Sequence, residues 1–156
     1  IFSNGEEYGV CSRNLELKRD ENNAFWRIAL EYDIHKKIRA YGKNLAVQGE
    51  LIAPNIQGNY EKVSKPEFYV FDVFDIDKQE YMLPSERQDF CKILNIPHVT
   101  VIDKAFSMID NVDALLDMAE GAGMNNGVKR EGLVFKHNNS EFSFKSISNS
   151  YLLKEK

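Results

Sequence analysis

The sequence contains little cysteine and no long apolar run. Cys11 and Cys91 are its only cysteines, and because they lie far apart neither belongs to a CxxC metal-binding pair. Such sparse usage is typical of reduced thiols in an intracellular protein, in the cytoplasm or the nucleus. No stretch approaches the roughly 18 apolar residues that a membrane-spanning helix requires. The sequence therefore predicts an intracellular protein without a membrane partner.

Two common nucleotide-binding motifs are also missing, namely the GxGxxG run of doubly wound folds and the GxxxxGK[ST] phosphate loop. The net charge of −4 argues against a simple basic-patch binder of nucleic acid. The charge is uneven, since residues 67–120 hold four cations and twelve anions, whereas residues 121–156 hold six cations and three anions. We expect any polyphosphate or nucleic acid to be held by a local cluster from the two ends of the chain.

The order of strand and helix signals predicts an α+β fold in which mostly antiparallel sheets carry three inserted helices. Predicted strands cover a hairpin around Asn4-Gly5 and residues 45–53, 67–76, 98–106, 130–136 and 141–147. The predicted helices cover residues 24–40, after a cap at Asn22 or Asn23, residues from Pro84 to the Ile96-Pro97 pair, and residues from Asp110 or Asn111 to about 120. Residues 121–127 are expected to form an exposed linker.

Polar residues in strand settings are the candidate site. A charge on a strand usually lies on a solvated face, but Gly49-Glu50 and Glu131-Gly132 each place a carboxylate beside a glycine. Glycine in a strand often marks the close approach of a ligand or another backbone. Nucleotide chemistry would use such groups, because lysines neutralise phosphate, carboxylates bind metal or ribose hydroxyls, and an aromatic ring stacks on a base.

Five segments in order resemble the motifs of ATP-dependent RNA ligases in the covalent nucleotidyltransferase superfamily, which also contains DNA ligases and mRNA capping enzymes. They are "CSRN" at 11–14, "GELI" at 49–52, "FYVFDVF" at 68–74, "EGLVFK" at 131–136 and "SFK" at 143–145. The longer strings "QGELIAPNIQGN" and "SFKSISNSYLLK" resemble RNA ligases that repair breaks in duplexes. The resemblance implies the ATP-grasp-like ligase fold, with residues 1–156 as one partial adenylyltransferase domain.

The resemblance also implies a reaction and its cofactors. A lysine attacks the α-phosphate of ATP, AMP passes to a 5′-phosphate end, and a 3′-hydroxyl then displaces AMP, with Mg²⁺ or Mn²⁺ assisting. The expected partners are ATP and RNA ends, in a duplex, and the expected state is a monomer. The implied roles are ribose or phosphate-end contact for Arg13, ribose binding for Glu50, adenine stacking for Phe71, metal binding for Glu131, and phosphate neutralisation for Lys136 and Lys145.

Two departures from the family pattern affect these expectations. The nucleophile of the family lies in a Lys-x-Asp/His-Gly motif that occurs nowhere in the sequence, and we expect it shortly upstream of Ile1. The residues as printed are therefore expected to be inactive in self-adenylylation. The last motif usually reads Lys-x-Lys, whereas only Lys145 is present here. A DNA ligase, a capping guanylyltransferase and a non-catalytic nucleotide- or nucleic-acid-binding module remain the alternatives.

Overall fold

In the computed structural model, which describes residues 1–56, 59–123 and 127–153, the chain forms two antiparallel sheets and five helices. The strands are β1 (Phe2–Ser3), β2 (Tyr8–Cys11), β3 (Glu16–Leu17), β4 (Leu45–Ile52), β5 (Glu67–Asp75), β6 (Glu80–Tyr81), β7 (Gly132–Lys136) and β8 (Ser143–Ile147). The helices are α1 (Ala24–Glu31), α2 (Ile34–Tyr41), α3 (Pro84–Ile93), α4 (Val112–Ala119) and α5 (Asn149–Leu152). One sheet has the order β3-β2-β1-β4-β5-β6, and the other pairs β7 with β8. The α+β prediction is confirmed.

The core of the larger sheet lies on one face of β4 and β5. Buried and less buried side chains alternate along most of both strands, so one face of the ladder is buried and the other is more exposed. The apolar face packs against α1, α2 and α3, and the buried cluster includes Ile28, Ile34, Ile38, Leu45, Val47, Leu51, Phe68, Val70, Val73 and Phe90. The opposite face of the same ladder carries polar side chains such as Gln48 and Glu50.

The helix predicted over residues 24–40 is two helices. Its start is as predicted, because the Asn23 side chain accepts a hydrogen bond from the Phe25 N–H at 2.9 Å. Between α1 and α2, Asp33 takes a left-handed conformation at φ +50°, which ends one helix and starts the next. The break redirects α2 so that Ile34 and Ile38 are fully buried. None of the described helices is long and apolar enough to cross a membrane.

Several short features differ from the sequence-based expectation. The strand predicted over 98–106 is absent from the described structure, where only His98 forms an isolated parallel bridge with Val70. The two-residue strands β3 and β6 and the one-turn helix α5 were not predicted, because they are too short to show a periodic pattern. The linker expected over 121–127 lies partly outside the described residues.

The β7–β8 hairpin is fastened to α4. The Ser146 hydroxyl donates to the Leu115 carbonyl oxygen at 3.1 Å. Arg130 donates to the carbonyl oxygens of residues 118–120 at 2.5, 3.0 and 2.7 Å, which satisfies the otherwise unpaired end of the helix. Since Arg130 immediately precedes Glu131, these hydrogen bonds also restrain the backbone from which the Glu131 side chain extends.

Replacing Gly132 by alanine is expected to destabilise the hairpin. An added Cβ would overlap the Ser146 carbonyl oxygen and lie 2.9 Å from the Ile147 Cα. Because both are backbone atoms, relief requires β7 and β8 to separate. We expect Gly132→Ala to lower the free energy of unfolding by about 1–3 kcal/mol in urea denaturation. Val134→Ala, at an exposed position of the same strand, is the control, and equal losses for the two variants would contradict this account.

Candidate active site

Three of the predicted site residues gather where the hairpin faces the polar side of the β4–β5 ladder. Lys145 Nζ lies 3.3 Å from Glu131 Oε2, which joins the middle of β8 to the residue that precedes β7. The charges of Glu131 and Lys145 both act on Glu50, which stands on β4 in the other sheet. Residues far apart in sequence therefore form one acidic and basic cluster, as predicted, while the role of each residue stays a prediction.

The surroundings of Glu50 disfavour the ionised form of its carboxylate. Partial withdrawal from water raises its pKa, the charge of Glu131 raises it further, and Lys145 offsets part of the effect. Two carboxylates thus share the neighbourhood of one lysine. A bound cation or the hydroxyl groups of a ribose would relieve this unfavourable arrangement.

Phe71 occupies a β-bulge opposite the Gln48-Gly49 pair, which immediately precedes Glu50. The register pairs Gln48 with Asp72 but Gly49 with Val70, so Phe71 is the extra residue on β5. Its half-buried ring belongs to neither apolar cluster of the described structure. The other aromatics of the strand have partners: Phe68 lies in the core and Phe74 packs edge-on against Tyr81. Tyr69, opposite Glu50, donates its hydroxyl to Glu67 Oε2 at 2.8 Å. Of the aromatic run on β5, Phe71 is thus the ring most available to stack on a base.

Lys136 and Lys145 lie on the same face of the hairpin but have different partners. Lys145 is opposite Val134 and Lys136 is opposite Ser143, so the two lysines are diagonal neighbours. Lys136 Nζ lies 2.6 Å from each carboxylate oxygen of Asp72 on β5. Lys136 therefore bridges the two sheets, whereas Lys145 pairs with Glu131.

Sequence reasoning missed the residues behind Lys136. Asp72 also accepts from Arg87 Nη1 at 3.3 Å, and Arg87 Nε donates to His98 Nε2 at 3.1 Å. Burial lowers the pKa of His98, which favours the neutral ring that this bond requires. Asp72 could have been noticed as a carboxylate inside a β-prone run. Arg87 shares a helix face with Phe90 and Cys91, three and four positions on, which is the one signal of its burial.

Arg13 is not brought to the cluster by any hydrogen bond or ion pair among the described residues. It lies in the turn between β2 and β3 and is exposed to solvent. Its predicted contact with ribose or a phosphate end stays a prediction.

The residues present fit a divalent cation that is shared with a phosphate. In the described ranges, no group of three or more His, Cys, Asp or Glu side chains is placed to hold a metal by itself. Mg²⁺ is usually bound through one or two carboxylates together with substrate phosphates and water. The Glu131 carboxylate could supply hard oxygen ligands of that kind. A cation bound there would also offset the repulsion between Glu131 and Glu50.

A family model described as RNA ligase matches residues 1–148. The chain belongs to the RNA ligase family. This agrees with the order of motifs and with the clustering of Glu50, Glu131 and Lys145. Among curated proteins, no significant match was found.

Solved structures of Naegleria gruberi RNA ligase share the fold of this chain. A point mutant with ATP and manganese is 42% identical, with a TM-score of 0.93 over 98% of this chain and 46% of that one. The enzyme with pyrophosphate gives 42% and 0.93, and another mutant with AMP and manganese gives the same values, each over 98% of this chain and 47% of that one. The chain thus spans less than half the length of these relatives.

Replacing Glu50 by glutamine is expected to stabilise the protein at neutral pH. The folded-state pKa of Glu50 lies above its ordinary value of 4.5, so ionisation of Glu50 disfavours the folded state. This penalty is full above the folded-state pKa and disappears as the pH falls towards 4.5. Thermal unfolding should therefore give a higher Tm for Glu50→Gln at pH 7.5, by an amount that shrinks at pH 5.

The matched control for this comparison is Glu6→Gln, since Glu6 is exposed on the first hairpin turn. It should leave Tm nearly unchanged across the same pH range. A Glu50→Gln protein that is less stable than the parent at pH 7.5 would contradict the electrostatic reading.

Proposed function

We propose that this protein is an ATP-dependent RNA ligase and that residues 1–156 are part of its adenylyltransferase domain. The reaction joins a 3′-hydroxyl to a 5′-phosphate through a lysyl-adenylate and an AMP-capped end, and it repairs breaks in RNA or RNA-containing duplexes. The observation that carries the proposal is the clustering of Glu50, Glu131 and Lys145 in a member of the RNA ligase family.

In the proposed binding mode, the base, the ribose and the phosphates of the nucleotide each contact different residues. Phe71, the extra residue of the bulge, stacks on adenine, and Glu50 accepts hydrogen bonds from the ribose hydroxyls. Lys145 neutralises the negative charge that develops at the α-phosphate, and Lys136 contributes a second cation. Arg13 contacts the ribose or the incoming phosphate end.

Glu131 is the proposed metal-binding residue, with Glu50 close enough to share its field. A bound Mg²⁺ or Mn²⁺ would polarise phosphate oxygens and neutralise their charge. Glu131 also orients Lys145 through their ion pair, so one side chain links the metal to the phosphate-binding lysine. The Naegleria gruberi relative was solved with ATP or AMP and manganese, which supports a nucleotide and a divalent cation here.

The nucleophile is proposed to lie outside the 156 residues, because they contain no Lys-x-Asp-Gly or Lys-x-His-Gly sequence. By themselves these residues would bind ATP weakly and form no lysyl-adenylate. The full gene product is therefore the protein in which the activity is to be measured.

Incubating the full gene product with α-labelled ATP and Mg²⁺ or Mn²⁺ should label the protein and release pyrophosphate. Glu131→Ala and Lys145→Ala should each slow labelling by about 10²–10³-fold, the usual cost of one electrostatic contact to a developing charge. Lys92→Ala, an exposed lysine on α3, is the control and should label normally. The labelled enzyme should then seal a nick with RNA on the 3′-hydroxyl side.

Three results would contradict the proposal. The first is the absence of any label on the full-length protein, and the second is a preference for GTP over ATP. The third is equal sealing of all-DNA nicks, which would assign the protein to the DNA ligases.

A further inference from the structure

Behind Lys136 a row of polar side chains runs from His98 through Arg87 and Asp72 to Lys136 itself. We propose that Arg87 is a positioning residue: by sharing the carboxylate of Asp72, it leaves Lys136 with a net positive charge to offer to the phosphates of ATP. The inference rests on the proposed function and extends it to a helix that does not itself reach the nucleotide.

The contacts of Arg87 show how it is held. Its side chain is 5% exposed, and its fork divides between His98, through Nε, and Asp72, through Nη1. The His98 ring in turn donates from Nδ1 to the Val99 carbonyl oxygen at 2.6 Å. The guanidinium is thus fixed from both sides.

Backbone hydrogen bonds to β5 fix the position of His98, at the far end of this row from Lys136. Val70 N–H donates to the Pro97 carbonyl oxygen at 2.8 Å, and Val99 N–H donates to the Val70 carbonyl oxygen at 2.9 Å. These bonds hold His98 against the middle of β5, two positions from Asp72. Lysine could not replace Arg87 here, because a single ammonium cannot reproduce the rigid planar fork that reaches both partners.

The charges in this row explain what Arg87 contributes. A carboxylate paired with Lys136 alone would form a neutral unit and would offer no charge to a phosphate. With Arg87 on the same carboxylate, the three groups carry one net positive charge. Arg87 is buried, whereas Lys136 remains 23% exposed and lines, with Asp72 and Arg87, a cavity of about 220 Å³ that does not include Glu50, Glu131 or Lys145 in its lining. Of the two cations, Lys136 is therefore the one that a phosphate can reach.

The experiment compares Arg87→Met, Asp72→Asn and the double variant in the full-length protein. The probes are ATP, which carries phosphates, and adenosine, which does not, both measured by calorimetry at low salt. Arg87→Met should weaken ATP binding by about tenfold, the effect of one charge about 10 Å away at an effective dielectric constant of about 20. Adenosine binding should not change.

The double variant is the decisive arm, because removing the carboxylate together with Arg87 restores one net positive charge. We expect its ATP affinity to return to within about threefold of the parent value, taking half a pKd unit as measurement scatter. A merely structural role predicts the opposite, since two deletions in one network should bind ATP no better than Arg87→Met. That result would overturn the inference, as would a parallel loss of adenosine binding.

Asp72→Asn alone provides a second test that does not depend on the folding of Arg87→Met. It preserves the shape of the side chain, frees both cations, and should tighten ATP binding; weaker binding would overturn the inference. If the parent protein binds no ATP, both the proposed function and this inference fail. If the parent binds ATP and the double variant shows no rescue, only this inference fails.

Discussion

The antiparallel ladder between β4 and β5 is the constraint on which the rest of the structure depends. Its period of two directs the buried, mainly apolar side chains towards the helices and leaves the side chains between them, Glu50 among them, on the more exposed face. A slip of one residue would bury Glu50 and expose Val47. The bulge at Phe71 is the one place where the register changes, and it adds an aromatic ring beside the carboxylate. Core and candidate site are therefore two faces of the same pairing.

Polar contacts join the β7–β8 hairpin and the residues next to it to the larger sheet and its loops. Lys136 meets Asp72, the Glu141 carboxylate accepts from the Tyr81 N–H at 2.9 Å, and the Tyr60 hydroxyl donates to the Lys129 carbonyl oxygen at 2.6 Å. The large apolar cluster draws its members from the other sheet and its helices. The contact region between the two sheets is thus rich in charged groups, which suits the binding of a charged ligand.

The long strands and the capped helices could be predicted from local pattern, and Asn23 and Asn111 both cap helices as expected. The gathering of Glu50, Glu131 and Lys145 followed from the order of the motifs. The break at Asp33 could not be foreseen, because a left-handed non-glycine residue leaves no periodic mark. The roles of Arg87 and His98 could not be predicted, because their contacts form only when α3 packs against β5, and local sequence does not specify that packing.

The capping of α4 by Arg130 gives the candidate site a mechanical property. Arg130, the residue before Glu131, binds three carbonyl oxygens at the end of α4, so the position of this helix is coupled to the position of the Glu131 backbone. Any displacement of α4 would therefore shift the backbone from which the Glu131 carboxylate extends.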